Sequence, residues 1–213
     1  MIFENRQEAG KRLVTELTDF RDEELIILAL PKGGVPVGFA IAEMLHVPLE
    51  VVVAHKIALP NNSEFGIGAL AEEDIEIVDK PAIKRLDISE EELDAIIQKE
   101  KKELLRKVSL YRNNKPLPLL KNKIILLIDD GLATGVTARA AIALVKKRKP
   151  KKIIFASPVC SYYTARKLKH LVDAVICGTT PINLVAVGQW YRDFAQVSDE
   201  EVVDLLERSK IKE

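Results

Sequence analysis

Hydrophobic positions follow two rhythms along this chain. Unbroken apolar runs occur at Leu25–Leu30 and Ile124–Ile128, and mainly apolar segments at Leu49–Ala54, Lys152–Ser157 and Val172–Cys177. Each is short and bounded by Gly, Pro, Asp or Lys, which predicts strands buried on both faces. Between them the spacing shifts to three and four. It predicts helices over residues 4–20, from Val35 to Leu45, from Ser89 to the Asn113–Asn114–Pro116–Pro118 stop, from Thr137 to Lys147, and from Ser161 to Lys169. Asn5 with Glu8 and Ser89 with Glu92 have capping-box spacing. Leu59 to Glu73 is rich in Asn, Gly and acids and reads as a loop or hairpin with a short strand around Gly66–Leu70; Asp74–Val78 is a further strand. Gly178 to Asp193 is irregular, and Ser198–Glu207 is a short terminal helix.

Strands alternating with helices imply an α/β domain with a parallel sheet and crossover connections. At 213 residues the chain is read as one domain. Lys plus Arg and Asp plus Glu are each 32, so the formal net charge is zero. That balance gives no general attraction to nucleic acid or an anionic membrane. No apolar run approaches a membrane span, and the charged start MIFENRQEAG does not resemble a signal peptide, so a cytoplasmic protein is expected. Cys160 and Cys177 have no C-x-x-C or metal spacing and are expected as two reduced, buried thiols.

Ligands of parallel α/β sheets gather at the carboxyl ends of strands, and two such ends carry candidate chemistry. The first is Ile128-Asp129-Asp130-Gly131-Leu132-Ala133-Thr134-Gly135-Val136-Thr137. Its small residues, followed by a helix start, suit close approach of a phosphate to main-chain amides. The two acids would repel that phosphate and need neutral hydroxyls or a hydrated cation instead, so a sugar phosphate satisfies both halves. A P-loop is excluded because no lysine follows Gly135. Gly66-Ile67-Gly68-Ala69-Leu70-Ala71 matches a dinucleotide fingerprint by letter but leads into acids and a strand, not a helix. The second strand end is Pro31-Lys32-Gly33-Gly34, where two glycines expose amides beside a cation.

The segment Leu127–Thr137 closely resembles the PRPP (5-phosphoribosyl 1-diphosphate) signature of the type I phosphoribosyltransferases. "LPKGGVPVG" and "IDDGLATG" look like members of a bacterial and archaeal subgroup of them. The resemblance implies that family's fold: a mostly parallel central sheet flanked by helices, with a small hood subdomain. The core would cover about residues 20–178, and the hood about 178–197 plus the N-terminal helix. It implies that Asp129 and Asp130 bind the ribose hydroxyls and, through them or water, Mg2+, and that Ala133, Thr134, Gly135, Val136 and Thr137 wrap the 5-phosphate. Lys32, Gly33 and Gly34 would hold the pyrophosphate, and Lys56 matches a family cation that approaches it. Residues 59–73 would be the family's mobile loop, with Gly66 and Gly68 as hinges or, alternatively, a static hairpin.

Trp190 and Tyr191 are candidates for stacking on an acceptor base or for packing the hood, and Asp193 is a candidate second magnesium contact. The third acid that contacts the purine in the 6-oxopurine enzymes is replaced here by Ala133, which argues against such an acceptor and removes the obvious general base. The implied activity is phosphoribosyl transfer from PRPP to a nitrogenous base or similar small acceptor, with pyrophosphate released, by a protein that is commonly a homodimer. A PRPP-sensing regulator or a non-catalytic phosphosugar-binding subunit are the alternatives.

Overall fold

The structure, a computed structural model, describes residues 2–17, 24–59 and 62–210. Helix α1 (Arg6–Leu13) is capped by the Asn5 side chain, which accepts from the Glu8 amide at 2.9 Å. A 3-10 turn, Val14–Glu16, extends it. The helix expected over residues 4–20 is therefore shorter, and its last part lies outside the described residues.

The strands are β1 (Leu25–Ala29), β2 (Leu49–Val51), β3 (Ala54–Leu59), β4 (Asn62–Ala71), β5 (Ile75–Val78), β6 (Ile124–Ile128), β7 (Lys152–Val159) and β8 (Ala174–Thr179). Five of them form the main, parallel sheet in the order β2-β1-β6-β7-β8. The other three, β3, β4 and β5, make a second, antiparallel sheet. The remaining helices are α2 (Gly34–Leu45), α3 (Lys80–Arg85), α4 (Glu90–Arg112), α5 (Val136–Lys147), α6 (Tyr162–Leu168) and α7 (Asp199–Arg208).

β6 is central and wholly buried because alternate side chains serve two cores. Ile124, Leu126 and Ile128 join α2 and β1 on one face. Ile125 and Leu127 join α5 on the other, with Ala69 and Ala71 of the small sheet. The opposite face of that small sheet, Ile57, Ile67 and Leu70, packs on Ile97 of α4. Ser89 and Glu92 make the expected reciprocal capping box at the start of α4. The irregular segment after β8 folds onto the N-terminus. Phe3 and Tyr191 form a parallel bridge, and Phe3, Ala9, Val159 and Tyr191 share a small core with Leu184, Val187, Trp190 and Phe194.

Three sequence expectations change. The run 49–54 is not one strand: β2 ends at Val51, and β3 begins at Ala54 in the other sheet. Among the described residues of 59–73, β4 is registered between β3 and β5, the hairpin alternative. Gly66 and Gly68 sit in that ladder as close-packing positions, not hinges: a Cβ on Gly68 would lie 2.4 Å from the Ile77 carbonyl oxygen. Finally, Cys160 and Cys177 are not free thiols. They form a disulfide between the ends of neighbouring strands β7 and β8, with Cα atoms 6.0 Å apart, a separation ordinary for a bridge.

Candidate active site

Register brings the two strand-end loops together. Ala29 of β1 pairs with Ile128 of β6, so Pro31–Gly34 and Asp129–Gly131 leave adjacent strands at one edge. The approach is tight enough to exclude side chains. A Cβ on Gly33 would overlap the Asp130 carboxylate, and one on Gly34 would lie 2.6 Å from the Ile128 carbonyl oxygen. Here glycine serves close contact between loops rather than unusual dihedrals. The Pro31–Lys32 peptide is cis.

Beyond the acids, the chain turns through Gly135 in the left-handed region (φ 71°) into α5. The carbonyls of this turn are occupied: Leu132 accepts from the Ser161 amide at 2.7 Å, and Ala133 accepts from the Thr164 hydroxyl at 2.6 Å. The Leu132 amide is also occupied, by the Val159 carbonyl at 2.8 Å. The amides of Ala133, Thr134, Gly135, Val136 and Thr137 find no acceptor among the described residues. Thr134 is exposed and Thr137 half-buried. The turn is thus anchored by its carbonyls, with unpaired donors at a helix start.

The N-terminal helix and the segment after β8 hold Asp130. Asp129 accepts the Asp130 amide on its own carboxylate at 2.9 Å. Burial, reinforced by the neighbouring Asp130 carboxylate, pushes Asp129 well above the usual carboxylate range. Asp130 pairs through Oδ2 with Nε of Arg6 at 2.7 Å, and its main-chain carbonyl accepts the Tyr191 hydroxyl at 2.6 Å. The Arg6 guanidinium lies 3.8 Å from the Phe194 ring centroid and donates to the Ala195 carbonyl at 2.8 Å.

On the β1 side, Lys32 Nζ is 3.0 Å from Asp199 Oδ1 at the first turn of α7. The Tyr111 hydroxyl (2.6 Å) and Arg106 (3.2 Å) converge on the same carboxylate. Together, the Tyr111 hydrogen bond first, they draw its pKa down to about 2. Lys56 lies on β3, its stem against Gly66, where a Cβ would meet the lysine Cδ at 2.9 Å. It pairs with no carboxylate among the described residues. Its neighbour His55 is bound instead to Glu100 and Lys107 of α4 at 2.7 and 3.0 Å. Burial, and then the Lys107 charge, lowers its pKa.

The candidates after β8 divide. Tyr191 is 6% exposed and its ring packs between Phe3 and Phe194, centroids 5.5 and 5.0 Å away, so it offers no free face to a planar ligand. Trp190 is half-buried in the same small core. Asp193 is exposed, accepts the Ala195 amide at 3.0 Å, and faces a cavity shared with Asn5 and Glu201, not the one at Lys32 and Gly33. Arg6, Tyr111, Phe194 and Asp199 were not singled out from the sequence. Arg6 sits in an ordinary amphipathic helix, and Asp199 reads as one of several first-turn acids that suit a helix start. Neither carries a local signal of its partner.

A parallel sheet with an acid pair and a turn of unpaired amides at its carboxyl edge, beside a Lys-Gly-Gly loop, places the chain among the α/β proteins. The phosphoribosyl transferase domain model matches residues 4–191, and the chain belongs to that family. A Mycobacterium tuberculosis protein named "Putative phosphoribosyl transferase Rv0571c" is 33% identical over 208 residues, 98% of this chain. The chain spans about half the length of that curated relative, 47%. TT1426 from Thermus thermophilus, a solved structure, is 31% identical with a TM-score of 0.80, covering 98% of this chain and 99% of that one. A hypoxanthine-guanine phosphoribosyltransferase from Bacillus anthracis shares the fold (TM-score 0.50, 15% identity, 91% of this chain and 93% of that one). Fold class and family thus agree with the sequence reading.

Proposed function

We propose that this chain transfers the 5-phosphoribosyl group of PRPP to a nitrogenous acceptor and releases pyrophosphate. The observation that carries the reading is the contact of the Lys32–Gly34 loop with the acid pair, from which the chain runs on directly into the turn of unpaired amides. The amides of residues 133–137, with the Thr134 and Thr137 hydroxyls, take the 5-phosphate at the positive end of α5. Asp129 and Asp130 accept the ribose 2- and 3-hydroxyls. Lys32, the Gly33 amide and Lys56 face the pyrophosphate, whereas the Gly34 amide, expected from the sequence to be exposed, is taken by the Leu30 carbonyl at 3.0 Å.

Among the described residues no three His, Cys, Asp or Glu side chains are grouped to hold a metal ion alone. The acid pair fits an ion held mainly by water and substrate oxygens, as Mg2+ is in phosphate chemistry. When bound with PRPP, Mg2+ neutralises charge on the departing pyrophosphate. The chain's own contribution is alignment of the ribose and charge stabilisation of the leaving group, not a covalent intermediate.

Asp129→Asn together with Asp130→Asn tests the site. Calorimetry with PRPP and Mg2+ should show binding weakened by at least about a hundredfold, the scale of losing two charged hydrogen-bond acceptors. Undiminished binding removes the assignment. Pyrophosphate release from PRPP with a panel of acceptors tests the transfer step. Tight PRPP binding with no release by any acceptor would make the protein a sensor instead.

A further inference from the structure

The amide turn is tied to one short segment, residues 159–164, which leads from the end of β7 into α6. The Val159 carbonyl accepts the Leu132 amide at 2.8 Å, and the Ser161 amide donates to the Leu132 carbonyl at 2.7 Å. The Thr164 hydroxyl donates to the Ala133 carbonyl at 2.6 Å. Leu132 and Cys160 form an isolated parallel bridge. Gly135 packs on the same segment: a Cβ there would lie 2.7 Å from Thr164 Cγ2.

That segment is moored in turn to β8 and the residues just after it. Val159 is registered with Thr179. The Cys160 amide donates to the Thr179 carbonyl at 3.0 Å, and the Tyr162 amide donates to the Pro181 carbonyl at 3.0 Å. A further mooring is covalent. The Cys160–Cys177 disulfide spans a sequence separation of 17 and closes a loop that contains α6. Its two sulfurs differ in access. Cys160 is fully buried, whereas Cys177 is half-buried beside the exposed Gly178. An attacking thiolate therefore meets Cys177 Sγ, since exchange requires access to the sulfur attacked. The Ser157 carbonyl oxygen, 3.9 Å from Cys160 Sγ, is placed to accept from a thiol there.

We propose that Cys160 and Cys177 form a reversible redox site that sets how firmly the amide turn holds the 5-phosphate of PRPP, the disulfide form binding more tightly. This rests on the reading that residues 133–137 take that phosphate. In the reducing step one thiolate of a dithiol reductant attacks Cys177 Sγ. The bond between the two protein sulfurs breaks with its electron pair on Cys160 Sγ, which takes a proton. The reductant's second thiolate then displaces Cys177 from the mixed disulfide, and that sulfur takes the second proton. The protein gains two electrons and two protons, and the dithiol leaves as its own disulfide. The hydrogen bonds to Leu132 and Ala133 remain, but the segment that makes them is no longer held covalently to β8. The donors of the turn then lose their fixed spacing.

Calorimetry with PRPP and Mg2+ tests this on the full chain, oxidised with diamide or reduced with dithiothreitol. Alkylation and mass spectrometry count the thiols in each sample. The oxidised chain should show no free thiol, and the reduced chain should show both. Reduction should weaken PRPP binding by roughly tenfold, the loss expected when a positioned site shifts by a fraction of an ångström, and reoxidation should restore it. Hydrogen exchange at the amides of residues 133–137 should quicken on reduction. Cys177→Ser should bind PRPP like the reduced chain and ignore the reductant. Should that variant fail to fold, the two wild-type samples decide. Free thiols persisting after oxidation, equal affinity in the two forms, or tighter binding by the reduced form overturns the proposal. Unfolding on reduction also overturns it, because the bond is then a structural staple. The two claims fail separately. Equal PRPP binding in both forms removes only the switch, whereas absent binding in both removes the site reading and the switch with it.

Discussion

At the end of β6 the chain offers main-chain amides, and at the end of β1 it offers a lysine steadied by a carboxylate some 170 residues away in sequence. The first loop is made of backbone. Its carbonyls are tied down by Ser161 and Thr164, and its free donors are fixed by the dihedrals of the turn. The second loop is made of side-chain charge, and Asp199, Tyr111 and Arg106 set where that charge sits. Backbone sites are hard to adjust by single substitutions but hard to lose. Charge-based sites respond to pH and to one-residue changes in remote helices.

Breaking the contact between the loops should have the largest effect. Gly33→Val places a branched side chain in the Asp130 carboxylate. Displacement by about 1 Å costs on the order of a hundredfold in a positioned site. PRPP affinity by calorimetry should fall by that scale, and an unaffected affinity would show that the two loops act separately.

Asp199→Asn sharpens the contrast from the other side. Removing a negative charge beside Lys32 should tighten PRPP binding by up to about tenfold, the scale of focused electrostatic effects, and the gain should shrink at high salt. Stability should move the opposite way. Asp199 has a depressed folded-state pKa of about 2, so its stabilisation is present above the ordinary carboxylate value near ~4 and is lost as pH falls from there through about 2. Thermal melts of the variant should lie below wild type at pH 7 and meet it near the bottom of that window.

Asp129→Asn should do the reverse at the backbone loop. Burial and Asp130 raise the Asp129 pKa, so the ionised form costs stability in the folded state. The favourable contribution is full below the unfolded carboxylate value and is lost as pH rises through the folded one. At pH 7 the variant should melt higher, by roughly 2–4 °C, which corresponds to about 1 kcal/mol in a chain of this size, while PRPP binding weakens. The smallest effect belongs to a site outside both loops. Ser89→Ala removes the α4 cap, costing about 1 kcal/mol in urea melts with PRPP affinity unchanged.

The same contrast explains what could be read from the residues alone. β1 and β6 were legible because a strand covered on both faces reads as continuously apolar, and β6 is buried at every position. The amide turn was legible because its parts are contiguous: acids, small residues and helix start follow one another. The small antiparallel sheet was harder. Gly66 and Gly68 suggest freedom by composition, whereas the fold uses them to bring β3, β4 and β5 within contact. The side-chain frame was illegible. Arg6 meets Asp130 across 124 residues, and Tyr111 meets Asp199 across 88, so neither pairing leaves a local pattern. The disulfide escaped for the same reason: Cys160 and Cys177 become neighbours only when β7 and β8 align.

The absence of a side chain at Gly33 and the presence of one at Asp130 form a single steric lock. Neither position is free to drift by itself: enlarging the first displaces the second, and lengthening the second crowds the first. Viable histories for such a pair pass through joint replacement, so the two positions should show strong epistasis. In a library randomised at both codons, folded clones should cluster along one diagonal of small-with-large combinations rather than fill the square, and those that bind PRPP should keep Asp130 beside a glycine.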